Sequence, residues 1–259
     1  MKPQRFKAAF TLIELAVVIA TITLLLVMIL PALATTGTKS QRIICVNNLK
    51  DTYLAFKIWA GENSDQFPMA VSTALGGGKE YVYSYAEQFP FSYEPWAVFQ
   101  VCSNQLVTPK VLYCPSDNNP NPAISVIGGP TTHIGTYAPS FGSGFDDGYI
   151  SYLICGDATL NYPGAILFGD RNIGSQGTIA NNPTPAAVMF PDTHEINSGF
   201  TAESTWAWSA HDQHLGAGNL ALTDGSVAQV TVNGLRQAMI MSTNALPGFD
   251  AIGTYYNFP

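Results

Sequence analysis

The hydrophobic and polar positions divide the chain into an apolar N-terminal run, a stretch with helical spacing and a long mixed region. The run at 10–34 is 25 residues long and contains one charged side chain, Glu14. A helix rises about 1.5 Å per residue, and about 20 apolar residues span the hydrocarbon core of a bilayer. We therefore predict a transmembrane helix at 10–34.

The next stretch carries apolar residues at steps of three and four, which is the spacing of one helical face. Gly61 is a suitable stop for this helix. We predict an amphipathic continuation of the helix at 35–62, followed by a globular head at 63–259. The apolar positions of the predicted face are Val46, Leu49, Tyr53, Phe56 and Ala60.

The head contains short apolar runs that predict strands. Ala165–Phe168 and Ala186–Phe190 are two of them. Alternating Leu220 and Leu222 precede Asp224-Gly225, and alternating Val230 and Val232 follow it. An Asp-Gly pair between alternating runs predicts a two-residue hairpin turn in which both central residues have positive φ. Asn233 then caps a predicted helix that runs to Met241.

Composition and charge exclude two classes of protein. Apolar residues make up 47 % of the chain and charged residues 11 %, which argues against disorder. The net charge of -7 argues against nucleic-acid binding, because phosphates would be repelled. Lys2, Arg5 and Lys7 precede the apolar run, and the positive-inside rule keeps such a basic end in the cytoplasm.

Two ordinary interpretations of the N-terminal run fit less well. A secretory signal peptide has a shorter apolar core, of about 7–15 residues, although Ala32 and Ala34 could imitate its cleavage site. A plain signal anchor leaves Glu14 unexplained, since a carboxylate inside a membrane is costly without a partner.

The N-terminus resembles the leader of type IV pilins and pseudopilins. A short basic segment precedes the string Phe10-Thr11-Leu12-Ile13-Glu14-Leu15. The resemblance implies a leader peptide at 1–9, cleavage by prepilin peptidase between Ala9 and Phe10, and N-methylation of Phe10. The chain departs from the family at Ala9, where the family usually has Gly.

The resemblance also implies a role for Glu14 and a fold. Glu14 of one subunit would meet the amino group of Phe10 on a neighbour, and breaking such a contact would leave a buried charge unpaired. That pairing would set the axial register between subunits. The implied fold is α+β and pilin-like, with a long N-terminal transmembrane helix packed on a head that contains an antiparallel sheet.

The four cysteines, Cys45, Cys102, Cys114 and Cys155, are candidates for disulfides. They form no CxxC pair, and four cysteines in an exported domain allow three connectivities. Cys114 and Cys155 flank an irregular stretch at 115–148 and are candidates to staple it. Buried free thiols are the alternative.

His214 is followed by nine residues and then Asp224-Gly225. This spacing resembles the C-terminal H-X9-DG motif of one pilin-like subfamily. Other segments that resemble pieces of that subfamily are Cys45–Leu49, Cys114–Asp117 and Asp170–Ile173.

Two interpretations of the C-terminal motif remain open. His214 could form a structural contact with a backbone carbonyl or with Asp224, because buried polar groups are paired. Alternatively, the side chains could bind a metal ion. The weak zinc candidates are His211, Asp212, His214 and Asp224. Asp146 and Asp147 are weak candidates for calcium.

These observations favour a structural subunit of a type II secretion pseudopilus or type IV pilus-like filament. The expected partners are prepilin peptidase, other pilin-like subunits and an inner-membrane assembly platform. The expected location is the inner membrane, with one span, a cytoplasmic N-terminus and a periplasmic head. We expect no catalytic activity, since neither a nucleophile elbow nor H-E-x-x-H occurs, and no cofactor other than the candidate calcium.

The alternative function is a membrane-tethered module that binds a glycan or a secreted substrate. The aromatic-rich stretch at 81–101 and the aromatic tail at 255–258 motivate it, since exposed aromatic residues mark interaction sites. Their exposure tests the idea, because rings that pack in the core are not available to a ligand.

Overall fold

A computed structural model provides the structure. It describes residues 11–82, 94–117, 138, 140–142, 144–176, 187–189, 194–197, 206–208, 213–214, 216–246 and 253–257. The chain divides into two compact units, 1–40 and 41–259, which are described separately.

Helix α1, Leu12–Glu62, is the longest element, and its N-terminal part belongs to the first unit. Its start is fixed by a capping box. The Glu14 carboxylate accepts hydrogen bonds from the Thr11 backbone N–H (2.8 Å) and hydroxyl (2.7 Å). The Glu14 N–H in turn donates to the Thr11 hydroxyl at 3.3 Å. Two amides at the helix start are thereby satisfied.

The predicted transmembrane helix at 10–34 is wrong. Within the described residues, no helix offers an apolar stretch of sufficient length to cross a bilayer. The predicted single-pass location in the inner membrane is contradicted by the same finding.

The second unit begins with the C-terminal part of α1, which buries one face. Its buried positions recur at steps of three and four, so they form one stripe along the helix. The helix ends at Glu62, close to the predicted stop at Gly61. The buried residues of the stripe are Cys45, Leu49, Thr52, Phe56 and Ala60.

Short helical segments follow α1. The α-helices are α2 (Lys79–Val82), α3 (Pro95–Val101) and α4 (Ser103–Leu106). The 3-10 helices are Pro68–Ala70, Thr73–Leu75, Pro109–Leu112 and Asp147–Tyr149.

The described strands form two antiparallel sheets. The larger sheet has the order β5-β9-β1-β2-β7-β8, and the smaller one has the order β4-β3-β6. The strands are β1 (Tyr152–Cys155), β2 (Ile166–Asp170), β3 (Ile173–Gln176), β4 (Ala187–Met189), β5 (His194–Asn197), β6 (Trp206–Trp208), β7 (Ala217–Leu222), β8 (Val227–Thr231) and β9 (Gly253–Asn257). Two of them, β2 and β4, coincide with the predicted strands at 165–168 and 186–190.

The core joins α1 to the larger sheet. The ring of Phe56 lies 4.8 Å from that of Phe168 in β2 and 5.7 Å from that of Phe99 in α3, both in edge-to-face arrangements. Such pairs contribute roughly 0.5–1.5 kcal/mol beyond the area that they bury. The predicted amphipathic helix therefore packs on the head through its apolar face.

The C-terminal hairpin differs from the prediction in its turn. The Gly225 N–H donates to the Leu222 carbonyl at 3.0 Å, and Gly225 has φ +87° while Asp224 does not have positive φ. The turn is a three-residue loop that ends in a left-handed residue, not a two-residue turn. The following helix α5, Val232–Ala245, is capped by the hydroxyl of Thr231 and not by Asn233.

Candidate functional site

His214 lies buried against a disulfide that joins α1 to the head. Cys45 of α1 is bonded to Cys114, and their Cα atoms are 5.3 Å apart. The His214 Nε2 atom is 3.6 Å from the Cys114 sulfur, and only 1 % of the residue is exposed. A cross-link that closes a loop of 69 residues lowers the entropy of the unfolded chain and stabilises the fold by about 4 kcal/mol.

The structure pairs two of the four cysteines and leaves the other two unpaired. Cys114 and Cys155 were candidates to staple the irregular stretch, but Cys114 is bonded to Cys45, 69 positions away in sequence. Cys102 and Cys155 are buried free thiols. Burial raises the pKa of the Cys102 thiol, which keeps it protonated and unreactive.

The acidic partner of His214 is Asp170 at the end of β2. The Asp170 Oδ2 atom is 3.4 Å from the His214 Nε2 atom, and both side chains are fully buried. The same oxygen accepts hydrogen bonds from the backbone N–H (2.7 Å) and side-chain amide (3.0 Å) of Asn219. Strands β2 and β7 are paired neighbours, which brings Asn219 beside Asp170.

Burial shifts the pKa values of Asp170 and His214 so that each side chain favours its neutral form. It raises the pKa of Asp170 to about 8, opposed by the hydrogen bond from the Asn219 backbone. It lowers the pKa of His214 to about 4, and the positive charge of Arg42 acts in the same direction. Near neutral pH the imidazole is therefore uncharged and Asp170 holds its proton for much of the time.

Arg42 and the ion pair of Arg171 with Asp117 lie next to this contact. Arg42 of α1 donates from Nη2 to the backbone carbonyl of His214 at 2.9 Å. Arg171, next to Asp170, contacts both oxygens of Asp117 through Nε at 2.9 Å and Nη2 at 3.1 Å. The two charged side chains are buried as a bidentate pair, so each satisfies the other.

The four segments that resemble the H-X9-DG subfamily meet at this cluster. Cys45 is bonded to Cys114, Asp117 binds Arg171, and the neighbouring Asp170 contacts His214. More than 160 positions of sequence separate the first of these residues from the last, so only the fold brings them together. We call the set Cys45, Cys114, Asp117, Asp170, Arg171 and His214 the motif cluster.

The other end of the H-X9-DG motif packs on α1 instead. Asp224 is exposed, and its carboxylate accepts the Ser226 N–H at 2.8 Å within the turn. Gly225 lies against the ring of Tyr53 in α1. Asp224, one of the two structural partners considered for His214, is therefore not its partner, and the acidic contact of His214 is with Asp170.

The spacing of the motif matches the length of the helix that it contacts. Arg42, which binds the His214 carbonyl, and Tyr53 are three helical turns apart, or about 16 Å. The six residues of β7, which lies between His214 and Gly225, extend over a similar distance of about 17 Å. One strand thus connects two anchor points on the same face of α1.

The metal candidates are only partly brought together. His211 and Asp212 lie outside the described residues. Within the described part of the chain, the only group of three metal-ligating side chains in close reach is Cys45, Cys114 and His214, with ligand atoms within 4.8 Å of one another. Asp224 does not belong to it.

The calcium candidates Asp146 and Asp147 are used by backbone amides. The Asp146 carboxylate accepts the Gly148 N–H at 2.9 Å, and that of Asp147 accepts the Trp96 N–H at 2.8 Å. Burial raises the pKa of Asp147 to about 8, and the negative charges of Asp146 and Glu94 raise it further against the opposing Trp96 hydrogen bond. The two acids serve as local structural acceptors.

The predicted processing site lies at the edge of the described chain. Ala9 and Phe10, and with them the expected partner of Glu14, lie outside the described residues. The capping contact of Glu14 with Thr11 was not anticipated, although the Thr-x-x-Glu spacing signals it. Arg42 and Asn219 carried no sequence signal, because each acts through a contact that is remote in sequence. Tyr53 was predicted on the apolar face of the helix, but its contact with Gly225 was not.

The aromatic residues that motivated a binding module are packed where the structure describes them. Phe99 and Tyr256 are buried, and Tyr81 and Trp96 are half-buried against the core. The remaining aromatic residues of the two stretches have no described side chains. The described rings therefore supply no ligand platform.

Comparison with protein-family models, curated proteins and solved structures gives no match for this chain.

Proposed function

We propose that the protein is a structural subunit of a type IV pilin-like or pseudopilus filament, with no catalytic step of its own. In this proposal prepilin peptidase cleaves between Ala9 and Phe10, and the new N-terminus is methylated. The N-terminal part of α1 then packs against the same segment of neighbouring copies. An assembly platform and other pilin-like subunits are the remaining partners.

The exposed apolar surface of α1 carries the proposal. Between Leu12 and Val27 the large apolar side chains are exposed on every side of the helix, for example Leu12 at 86 % and Leu24 at 63 %. A helix that is apolar all round is buried in a native assembly. The described part of the chain does not cover this segment, and copies of the same helix are suited to do so.

Glu14 adds a second support. It is the only charged side chain of the described helix before Lys39, and it lies in the first turn beside the proposed cleavage site. Its hydrogen bonds to Thr11 lower the pKa of Glu14, so it is ionised at neutral pH. An ionised group in an apolar bundle needs an opposite charge, which the cleaved amine of a neighbour would provide.

The motif cluster has a structural role in this proposal. The disulfide, the Arg42 hydrogen bond and the Gly225 contact attach the head to α1 at separate points. In a filament, force and thermal motion act between the packed helices and the heads. The attachment keeps each head folded on its own helix.

The experiment compares two aspartate substitutions in cells that express prepilin peptidase and a filament assembly machine. Leu24→Asp places a charge on the proposed packing surface, and we expect at least about a tenfold loss of the chain from sheared filaments, because a buried unpaired carboxylate costs well over 1.4 kcal/mol. Electron microscopy and mass spectrometry of the filaments provide the measurement.

Leu75→Asp is the matched control, because Leu75 is 77 % exposed on the head. This variant should be incorporated as the parent chain is. Mass spectrometry should also find a methylated Phe10 as the first residue. Normal incorporation of the Leu24→Asp chain, or filaments built from chains that retain Met1, would count against the proposal.

A further inference from the structure

The motif cluster contains three side chains that could bind a metal ion, but two of their donor atoms, the sulfurs of Cys45 and Cys114, are bonded to each other as a disulfide. The sulfurs of Cys45 and Cys114 and a ring nitrogen of His214 lie within 4.8 Å of one another, and all three residues are buried. Cleavage of the disulfide would leave two thiols facing the imidazole. Helix α1 and the segment after the 3-10 helix Pro109–Leu112 would still hold them.

The distances around the His214 Nε2 atom match those between ligands of a tetrahedral zinc ion. With Zn–S near 2.3 Å and Zn–N and Zn–O near 2.0 Å, a sulfur and a nitrogen ligand lie about 3.6 Å apart, and a nitrogen and an oxygen ligand about 3.3 Å apart. The observed distances are 3.6 Å to the Cys114 sulfur and 3.4 Å to the Asp170 oxygen. After cleavage, the two sulfurs would have to move apart to about 3.8 Å, and the three donor atoms, which lie within 4.8 Å of one another, would have to settle at about 3.6–3.8 Å.

Unsatisfied polar atoms occur on residues of this cluster and on residues bonded to them or next to them in sequence. Among the described side chains, buried atoms without a hydrogen-bond partner include Oδ1 of Asp170, Nδ1 of His214, Oδ1 of Asn219 and Oε1 of Gln213. Buried polar groups are nearly always paired. A cation bound by Asp170 and His214 would stabilise the carboxylate, and the imidazole would keep its proton on Nδ1.

We propose that the reduced protein binds one zinc ion through Cys45, Cys114 and His214. Asp170, whose carboxylate lies 3.4 Å from the imidazole but outside this close group, would complete the coordination by moving towards the ion. A phosphine reductant transfers two electrons to the disulfide and takes an oxygen atom from water. The two protons of that water go to the two sulfurs. Zinc then displaces both thiol protons and forms a zinc dithiolate, so the disulfide and the metal are alternative occupants of one site.

The donor set selects the ion. Two thiolates and an imidazole favour zinc over calcium and magnesium, which prefer oxygen ligands. The site is fully buried, so the ion enters while the reduced chain folds or opens locally. Zinc would then replace the covalent cross-link between α1 and the head, and its binding free energy would stabilise the reduced fold.

The test uses the full chain, reduced with a phosphine and freed of metal, with zinc and cobalt as probes. We expect one zinc ion per reduced chain, visible absorption bands of a tetrahedral cobalt thiolate, and no binding to the oxidised protein. At a hundredfold excess of zinc over its Kd, Tm of the reduced protein should rise by about 5–10 °C. If the reduced chain is unfolded without metal, zinc should restore the circular dichroism of the fold.

Variants locate the ion. Cys45→Ser and His214→Ala should lose the stoichiometric ion and the cobalt bands, and Asp170→Asn should weaken binding. The double variant Cys102→Ala, Cys155→Ala keeps Cys45 and Cys114 as its only cysteines and should bind zinc as the parent does. The proposal is overturned by equal binding to the oxidised protein, by unchanged stoichiometry in Cys45→Ser, or by a reduced chain that zinc neither binds nor refolds.

Discussion

The ring of Tyr53 lies against the backbone of Gly225, so that a Cβ atom placed on Gly225 would come within 2.5 Å of the ring carbon Cε1. Tyr53 belongs to α1, and Gly225 closes the loop between β7 and β8. The contact holds the tip of the hairpin against the helix. It also gives the glycine of the H-X9-DG motif a physical reason, since a larger residue would push the two elements apart.

Gly225→Ala should destabilise the head for two reasons. At φ +87° a residue with a Cβ atom costs about 1–2 kcal/mol, and the clash with Tyr53 adds to this cost. We expect a loss of about 2–4 kcal/mol in the free energy of unfolding, measured by urea denaturation. The loss caused by Gly225→Ala should be smaller when it is measured in a Tyr53→Ala background.

Gly216→Ala is the control for the glycine prediction. Gly216 has a similar φ of +78°, but a Cβ atom there meets nothing within 4 Å. Gly216→Ala should therefore lower the free energy of unfolding only by the backbone cost of about 1–2 kcal/mol. Equal losses for the two variants would show that the Tyr53 contact is unimportant.

Glu14→Val separates helix capping from subunit register. Both Glu14→Val and Thr11→Val break the capping box and should weaken the start of α1. If Glu14 also pairs with a neighbour's amine, only Glu14→Val should strongly reduce incorporation into filaments. Quantitative mass spectrometry of sheared filaments measures the difference, and equal incorporation of the two variants would reduce Glu14 to a capping residue.

The raised pKa of Asp147 predicts a pH dependence of stability. Its pKa is near 3.8 in the unfolded chain and about 8 in the fold. Between these values the unfolded state releases a proton that the folded state retains, so this group lowers stability as pH rises from about 4 to 8, and its effect is constant above that range.

Asp147→Asn should remove that part of the pH dependence, because the amide oxygen can still accept the Trp96 N–H and does not titrate. Urea midpoints at about pH 5 and pH 8.5 should lie closer together than in the parent. Asp224→Asn is the control, since the pKa of exposed Asp224 is lowered by its hydrogen bonds to Ser226. If the urea midpoint of Asp147→Asn changed with pH as much as that of the parent, the prediction would be contradicted.

Local patterns determined the local elements. The steps of three and four from Val46 to Ala60 predicted the packed face of α1, and the alternation around Asp224-Gly225 predicted the β7–β8 hairpin. These features depend on neighbours a few residues away, so the sequence contains the relevant information. The capping box of Thr11 and Glu14 has the same local character.

The membrane prediction shows where a local pattern was insufficient. Hydropathy at 10–34 suggested a spanning helix, and the described helices contain no such stretch. The turn at Asp224-Gly225 was also misjudged, because loop length depends on the register of β7 and β8 as well as on the Asp-Gly pair.

Tertiary structure alone decided the partners of the motif residues. Four cysteines allowed three pairings, and the fold selected Cys45 with Cys114 because α1 passes beside the 3-10 helix Pro109–Leu112. It likewise placed His214 beside Asp170 instead of Asp224. Contacts between residues dozens of positions apart depend on how whole elements pack, and no spacing along the chain encodes that packing. The sequence thus determined which residues were chemically able to meet, and the packing of α1 on the sheet determined which of them do.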